Sequence, residues 1–386
     1  MMKKRASLPV FIVIFVIATL VPPEAMAQTV APFVLPSARM AALGGPHAAS
    51  VNGLDSMFEN PAGFASEKTE LSVASVVFNP SGPLFDIAGL VLGGGSDIMT
   101  LLPNVFDDSG RLYVQADILG PLAFGYVGKG LGFGMFNRTV ATVNASSLLS
   151  VSYSVSEEFL LTGGYSHRFY IGDRTTIDLG LMPKGFVRGS IGDRLSLDGL
   201  MTLASDFTAA LSSPLTMTTG LGVDAGVMWT LDRILSVGIV GRDAYSPALV
   251  TTYANYQEFI DTPSSGVDTA GLVSPDISIG VAYLLPFQFL ERLGADVLVL
   301  ADYSDILNLL SIFPRNPILN VRLGVELTLL DILSLRAGIK EALPTAGFCI
   351  DLSAFSFSLA MYGQELGMEP GSRPVYNLLM ALDFRY

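Results

Sequence analysis

Residues 319–340 read LNVRLGVELTLLDILSLRAGIK, a stretch in which apolar and polar residues alternate almost strictly. From Leu319 to Leu329 every odd position is Leu or Val, and the even positions are Asn, Arg, Gly, Glu and Thr. The alternation resumes from Leu333 to Lys340, after an Asp331-Ile332 step short enough for a hairpin turn. A period of two indicates strands whose successive side chains face opposite ways. Because the charges fall on one face only, the pattern is typical of a membrane barrel with a polar lumen.

The same alternation continues along most of the chain. It is clear in Phe355–Tyr362 and in Tyr376–Tyr386, and fourteen strands are predicted between Pro121 and Tyr386, including Ser146–Ser154 and Phe159–Arg168 as two separate strands. An even number suits closure, which leaves no unpaired edge in the bilayer. A further hairpin, Glu70–Asn79 with Leu84–Leu92, would raise the number. We therefore predict an all-β protein, a transmembrane antiparallel β-barrel of about 14 strands (about 12 to 16).

Composition agrees with a membrane protein. Of the 386 residues, 50% are hydrophobic and only 15% are charged, with a mean hydropathy of +0.51, which is too apolar for an ordinary soluble domain of this size. The formal net charge is -13, and the sequence has no basic stripe that would neutralise phosphates. Nucleic acid is therefore excluded as the expected partner, and the lipid bilayer is the first one.

The start of the chain resembles a secretion signal. Lys3, Lys4 and Arg5 precede an apolar run from Leu8 to Val21, and Ala25-Met26-Ala27 stands before Gln28 with small residues at the positions that signal peptidase reads. The apolar run is shorter than the roughly 20 residues of a spanning helix. We expect residues 1–27 to be a cleaved signal peptide and the mature protein to lie in the outer membrane of a Gram-negative-type (diderm) bacterium.

A stretch without strand-forming residues separates the signal from the barrel. Ser37–Ala65 reads SARMAALGGPHAASVNGLDSMFENPAGFA. Gly44-Gly45 permits a sharp reversal, and Asn60-Pro61-Ala62-Gly63 has the chemistry of a short helix start or Asx turn. We predict that residues 28–69 form an N-terminal hatch inside the barrel of residues 70–386. Because both ends of the barrel are expected to face the periplasm, the hatch is expected to enter from the periplasmic side.

This segment resembles the hatch signature of FadL-like outer-membrane barrels, the long-chain fatty-acid transporter family and its relatives. The matching residues are Ala38, Arg39, Leu43, Gly44, Gly45, Asp55, Asn60, Pro61, Ala62 and Gly63, and Pro46 followed by His47 departs from the family pattern. The resemblance implies uptake of hydrophobic molecules, most of all long-chain fatty acids, through a hatch-gated lumen. It also implies that Asn60, Pro61, Ala62 and Gly63 hold the hatch and that Gly44 and Gly45 form its flexible part.

Long connections are predicted on the extracellular side, as in bacterial barrels generally. They comprise residues 189–220, 244–275, 304–318 and 364–375. In the third, Leu309, Leu310 and Phe313 are candidate residues for capture of an apolar ligand. These loops are also where protein partners would bind.

The sequence offers little support for catalysis. Its two histidines, His47 and His167, are far apart, and a single cysteine, Cys349, permits no internal disulfide. Gly-x-Gly runs such as Gly130–Gly134 are interpreted as close packing in a curved sheet rather than as phosphate loops. The acid pair Glu157-Glu158 is interpreted as solvated loop residues. No enzyme, metal or cofactor is therefore predicted.

Two other functions remain compatible with the sequence. Relatives of the hatch signature include barrel subunits of protein secretion or surface-assembly systems, which hold protein partners instead of moving lipids. The long loops also fit a general porin or an adhesin. Bound fatty acid that competes with added fatty acid would favour transport over both.

Overall fold

A computed structural model of the chain describes residues 27–385 except 51–52, 67, 84–105, 107–109, 148–149, 197–198 and 200–205. Among these residues, seventeen strands form one sheet, and fourteen of them close into an antiparallel barrel as predicted. The barrel strands are β2 to β8 and β11 to β17, closed by the pairs β8–β11 and β17–β2. In the described part of the chain, the helices are all too short or too polar to cross a bilayer.

The strands have the following bounds: β1 Gln28–Val30, β2 Glu70–Ser81, β3 Leu112–Gly128, β4 Leu131–Ser147, β5 Ser150–Ile171, β6 Thr175–Leu195, β7 Leu215–Leu231, β8 Leu235–Tyr245, β9 Pro247–Tyr253, β10 Val267–Val273, β11 Asp276–Leu284, β12 Ala295–Tyr303, β13 Val321–Leu329, β14 Leu333–Lys340, β15 Leu343–Asp351, β16 Phe355–Glu365 and β17 Pro374–Arg385. The α-helices are Ala38–Ala42, Ser56–Glu59, Tyr256–Asp261 and Gln288–Arg292. Short 3-10 helices cover Gly53–Asp55, Pro61–Ala65, Phe207–Ser212, Pro263–Ser265, Ile306–Leu310 and Pro317–Asn320.

The strand number agrees with the prediction through two compensating differences. Ser146–Ser154 and Phe159–Arg168 were predicted as two strands but belong largely to one, β5, and β2 supplies the missing barrel strand. β5 continues through Glu157-Glu158 because Glu158 is buried among lumen cations. The interpretation of this acid pair as loop residues is therefore wrong. The predicted strand Leu84–Leu92 lies outside the described residues.

Inward and outward side chains alternate along the barrel strands as the sequence predicts. In β17, Asn377, Leu379 and Ala381 are buried, whereas Tyr376 and Phe384 are exposed. The wall is of uneven height, because β3 to β7 have 17 to 22 residues and β11 to β15 have 8 or 9. One side of the barrel therefore rises well above the other.

The connections sort by length onto the two ends of the barrel. One end, here called the turn end, carries tight turns such as residues 129–130, 172–174 and 330–332. The other, the loop end, carries the long connections 196–214, 246–275 and 304–320. β9 and β10 form a hairpin at the loop end, where β9 pairs with the start of β7.

The hatch does not enter from the side that the sequence suggested. β1 pairs in parallel with β10 at the loop end, and the Arg188 guanidinium donates to the Ala31 carbonyl oxygen at 3.0 Å. From there the chain runs down the lumen to Ser37 and reaches the turn end where β2 begins at Glu70. The prediction of entry from the periplasmic side is wrong because β1 pairs with β10 at the loop end, and no residue pattern in Gln28–Pro36 predicts this pairing.

Candidate functional site

The first half of the hatch packs directly against the barrel wall. Gly44 and Gly45 have φ angles of 92° and 118°, which glycine tolerates best. A β-carbon at Gly44 would lie 2.5 Å from the Ile339 carbonyl oxygen and 2.8 Å from that of Leu323. The glycine pair therefore lies where the hatch backbone meets β13 and β14.

The Asn60–Gly63 turn is buried on the opposite side of the lumen. The Asn60 side chain is fully buried, accepts from the Ala62 N–H at 3.0 Å and donates to the Ala48 carbonyl oxygen at 2.6 Å. The Ser166 hydroxyl of β5 donates to the Ala62 carbonyl oxygen at 2.9 Å. Asn60 thus caps the Pro61–Ala65 helix and joins the two halves of the hatch.

Inward-facing glycines of the wall make room for the hatch. A β-carbon on any of them would come within 3.0 Å of a hatch atom, closer than real side chains pack. They lie on nine strands and are Gly125, Gly132, Gly164, Gly180, Gly226, Gly238, Gly324, Gly338 and Gly347. The sequence indicated close packing at such glycines, but the partner is the hatch and not the neighbouring strand alone.

A chain of buried charges ties the hatch to the short side of the barrel. The Arg39 guanidinium lies 3.3 Å from a Glu59 carboxylate oxygen and 3.0 Å from one of Glu326, and Arg336 contacts the other Glu326 oxygen at 2.7 Å. Burial raises the pKa of Glu59 to about 7, and burial likewise raises the pKa of Asp55. Arg39, one of the residues that match the hatch signature, is therefore a cation through which the hatch contacts the wall.

Pro46 and His47 are the residues where the chain departs from the family pattern. His47 is fully buried, its Nδ1 lies 2.5 Å from an Asp302 carboxylate oxygen, and its Nε2 lies 2.9 Å from the Leu43 carbonyl oxygen. The Pro46 carbonyl oxygen accepts from Arg322 at 3.0 Å. At these two residues the hatch is therefore attached to β12 and β13. Asp302 is the one charged residue in the run VLVLADY of residues 297–303, and this was the feature of the sequence that could have indicated a buried polar contact.

Above the hatch, a belt of charges runs around the lumen from strand to strand. On the tall side Asp117, Arg138, Glu158 and Arg188 follow one another on β3 to β6, with contacts of 2.8, 3.2 and 2.5 Å. Arg138 and Glu158 each lie between two charges of the opposite sign. The belt continues with Lys184 between Asp224 and Asp243, and with Arg242 on Asp276.

The belt is incomplete at two neighbouring cations. Arg322 on β13 and Lys340 on β14 are direct cross-strand neighbours. Among the residues that the structure describes, no carboxylate forms an ion pair with either of them, although Lys340 lies 5.1 Å from the Tyr362 ring centroid. Two like charges side by side repel each other and favour an anion between them.

The side chains of Arg322 and Lys340 line a cavity of about 310 Å³ on the loop side of the hatch. The apolar part of its lining comprises Phe33, Leu35, Met40, Phe58, Leu160, Met182 and Leu379. The charged part also includes Lys184, Asp224, Arg242, Asp243, Asp276 and Glu341. We call it the upper pocket. A site with one apolar wall and two unpaired cations is suited to an amphiphile with an anionic head.

A second cavity of about 580 Å³, the lower cavity, lies toward the turn end. Its described lining is polar, and acidic side chains outnumber basic ones; the acids are Asp55, Glu70, Asp296, Glu326, Asp331, Asp351 and Asp383, and the bases are Arg39, Lys68, Arg336 and Arg385. Leu35, Pro36, Ser37 and Phe58 line both cavities. These four residues therefore form the partition between them.

The predicted capture residues do not reach either cavity. Leu309, Leu310 and Phe313 lie in the connection between β12 and β13 at the loop end, and the last two are 83% and 80% exposed. None of the three lines the upper pocket. Among the described residues, no group of three or more His, Cys, Asp or Glu side chains is placed to hold a metal ion.

Comparisons with known proteins found likeness in fold only. No protein-family model and no curated protein matches the chain. Among solved structures, the CymD monoaromatic hydrocarbon channel is 12% identical at a TM-score of 0.43, with 90% of this chain and 96% of that chain covered. The Ralstonia pickettii toluene transporter TbuX is 11% identical at 0.46, with 93% and 98% covered. The P. putida toluene transporter TodX is 10% identical at 0.41, with 91% and 97% covered. At such low identities and TM-scores, these likenesses say nothing about the ligand of this chain.

Proposed function

We propose that this chain is a FadL-like outer-membrane barrel that takes up hydrophobic molecules, and that its ligands are long-chain fatty acids. The observation that carries the proposal is the upper pocket, where Arg322 and Lys340 lie side by side next to an apolar wall and neither forms an ion pair with a carboxylate of the described residues, although Glu341 lines the same pocket. A fatty-acid carboxylate would complete the charge belt at this point. Its acyl chain would then lie against Leu160, Met182 and Leu379.

The energetics favour an anion over a neutral ligand at this position. A buried cation without a counter-charge is costly, because the lumen cannot solvate it as water does. A carboxylate that accepts from Arg322 and Lys340 makes charge-assisted hydrogen bonds, which are stronger than neutral ones. The buried apolar chain adds about 0.8 kcal/mol for each CH₂ group removed from water.

We propose a route from the loop end to the turn end. Leu309, Leu310 and Phe313 would capture the apolar molecule, and the upper pocket would bind it next. The hatch closes the way to the lower cavity. The Asn60, Pro61, Ala62, Gly63 turn would hold the hatch, and Gly44 and Gly45 would form its flexible part against the opposite wall. The thin partition of Leu35–Ser37 and Phe58 is where passage would open.

Binding of radiolabelled oleate to the purified protein tests the proposal. We expect oleate to bind and to be displaced by unlabelled fatty acid. The double variant Arg322→Gln, Lys340→Gln should weaken oleate binding at least tenfold while leaving binding of oleyl alcohol nearly unchanged. Lys68→Gln, which removes a cation from the lower cavity, is the matched control and should bind oleate as the parent does.

Two results would count against fatty-acid transport. Equal oleate binding by the double variant and the parent would show that Arg322 and Lys340 do not bind the carboxylate. Co-purified partner proteins without any displaceable fatty acid would instead favour an assembly role for the barrel.

A further inference from the structure

The turn end carries a row of exposed apolar side chains. Phe287, Phe289 and Leu293 lie in the connection between β11 and β12, and Leu330, Ile332 and Leu352 lie at the tips of the next turns along the short side. All six are between 48% and 68% exposed. The rings of Phe287 and Phe289 stack on each other with their centroids 5.7 Å apart.

The tall side of the barrel ends differently. Its strand β5 keeps apolar side chains as far as Ile171, and the turn beyond it carries the exposed charges of Asp173 and Arg174. The neighbouring turns have Lys129 and the Asp232-Arg233 pair at their tips. The exposed apolar surface thus ends with the last residue of β5 on the tall side and continues into the turns on the short side.

The length of the strands explains why the short side would need apolar turns to span the apolar layer of the membrane. A strand of 9 residues rises about 30 Å along its own axis, and a tilt of about 45° reduces this to about 21 Å across the membrane. The apolar band of a bacterial barrel is about 25 Å tall. Strands β11 to β15, with 8 or 9 residues, fall short of that height, whereas β5 with 22 exceeds it.

The short turns are held together as one surface. The Leu330 N–H donates to the Gly294 carbonyl oxygen at 2.7 Å, and the Asp351 N–H donates to that of Ile332 at 2.7 Å. Leu290 of the Gln288–Arg292 helix is buried, while Phe289 beside it faces outward. The exposed row is therefore fixed in position and is continuous with the lipid-facing wall above it.

We propose that this row lies in the lipid interface of the turn-end leaflet, with Phe287 and Phe289 as aromatic anchors and the short side of the barrel sunk into the bilayer. Aromatic rings favour this zone of the membrane. The turns then supply the apolar height that the short strands lack. The inference rests on the proposed membrane location and adds to it a defined depth and tilt of the barrel.

Single-tryptophan fluorescence in phosphatidylcholine vesicles tests this position, because Trp229 is the only tryptophan. In a Trp229→Phe background, Phe289→Trp should emit at shorter wavelength than in water, be quenched by phosphatidylcholine brominated near the headgroup, and resist aqueous iodide. Asp173→Trp at a charged tip should show the reverse pattern. Leu181→Trp, on the exposed middle of β6, reports whether the wall itself is in lipid.

The controls separate the two levels of the claim. If iodide quenches Phe289→Trp and brominated lipid does not, while Leu181→Trp is quenched by lipid, the barrel is in the membrane and the interfacial row is wrong. If lipid quenches neither, the membrane location fails as well. Each variant is first checked for β-sheet circular dichroism, so that misfolding is not mistaken for exposure.

Discussion

Glycines that face the lumen are the residues on which the hatch depends most closely. Gly180 of β6 lies against the Pro61-Ala62 backbone, and Gly338 of β14 lies against Leu43. Both positions reject even a methyl group, because the nearest atoms belong to backbone that cannot rotate away. The fit between hatch and wall therefore depends on glycines, which have no side chain, as much as on the side chains that make contacts.

We predict that Gly180→Ala loosens the hatch. The added β-carbon would meet the hatch backbone, and overpacking of this kind costs about 1–3 kcal/mol. Liposome swelling should show faster entry of small sugars than in the parent protein. Gly163→Ala on β5 is the matched control, since its β-carbon would meet nothing closer than 3.7 Å. Equal swelling rates for the two variants would contradict the packing argument.

We expect the seating of the hatch to depend on pH through Glu59. Burial raises its pKa to about 7, with Arg39, Asp55 and His47 as the charges around it. An acid whose pKa is raised by folding binds its proton more tightly in the seated hatch than in a displaced one. Its contribution to seating is therefore greatest at low pH and is lost as the pH rises through about 7.

We accordingly expect solute permeability of the parent protein to rise between about pH 5 and about pH 8. Glu59→Gln, which cannot ionise, should show a smaller rise, and Asp55 accounts for the part that remains because its pKa is raised in the same direction. Swelling assays across this range measure the effect. An unchanged slope in Glu59→Gln would show that another group controls the pH response.

At the scale of elements, β5 shows that a buried charge in the lumen can stabilise a strand at a position where the sequence pattern predicts a loop. The Glu157-Glu158 pair interrupts the apolar alternation, yet the strand continues because Glu158 contacts Arg138 on β4 and Arg188 on β6. Arg188 in turn holds the N-terminal lead through the Ala31 carbonyl oxygen. One carboxylate thus links three strands and the lead.

Glu158→Gln should therefore lower the thermal stability of the barrel. Removing one partner of a buried ion pair costs about 3–5 kcal/mol, because the remaining cations stay buried. Heat-modifiable mobility on gels would report a lower unfolding temperature. Asp232→Asn, which removes an acid from an exposed pair with Arg174, should change this temperature little. A loss no greater than that of the control would mean that water reaches Glu158 freely.

At the scale of the whole molecule, we expect the barrel and the hatch together to determine permeability. The hatch crosses the lumen and contacts glycines on nine strands. Deleting Ser37–Ala65 should open the lumen while the sheet remains closed by its own strand pairs. Liposome swelling with small polar solutes should then rise well above that of the parent and of Gly180→Ala. Unchanged permeability in a correctly folded deletion variant would show that the hatch does not close the lumen.

The sequence by itself determined the barrel. A period of two with charges on one face requires a sheet with one polar and one apolar side, and closure follows because a bilayer satisfies no free strand edge. The same local reasoning predicted the Asn60 cap and the conformational freedom of Gly44 and Gly45, since these properties depend on a few adjacent residues.

Only the tertiary structure decided how the hatch is held and where a ligand fits. Arg39 meets Glu326 and His47 meets Asp302, both between residues far apart in the chain, and only the closed barrel shows that Arg322 and Lys340 have no carboxylate in an ion pair with them among the described residues. The direction in which the lead runs was likewise set by its pairing with β10. Periodicity reports which face a residue occupies but not what lies across the lumen, because that depends on barrel closure and strand stagger.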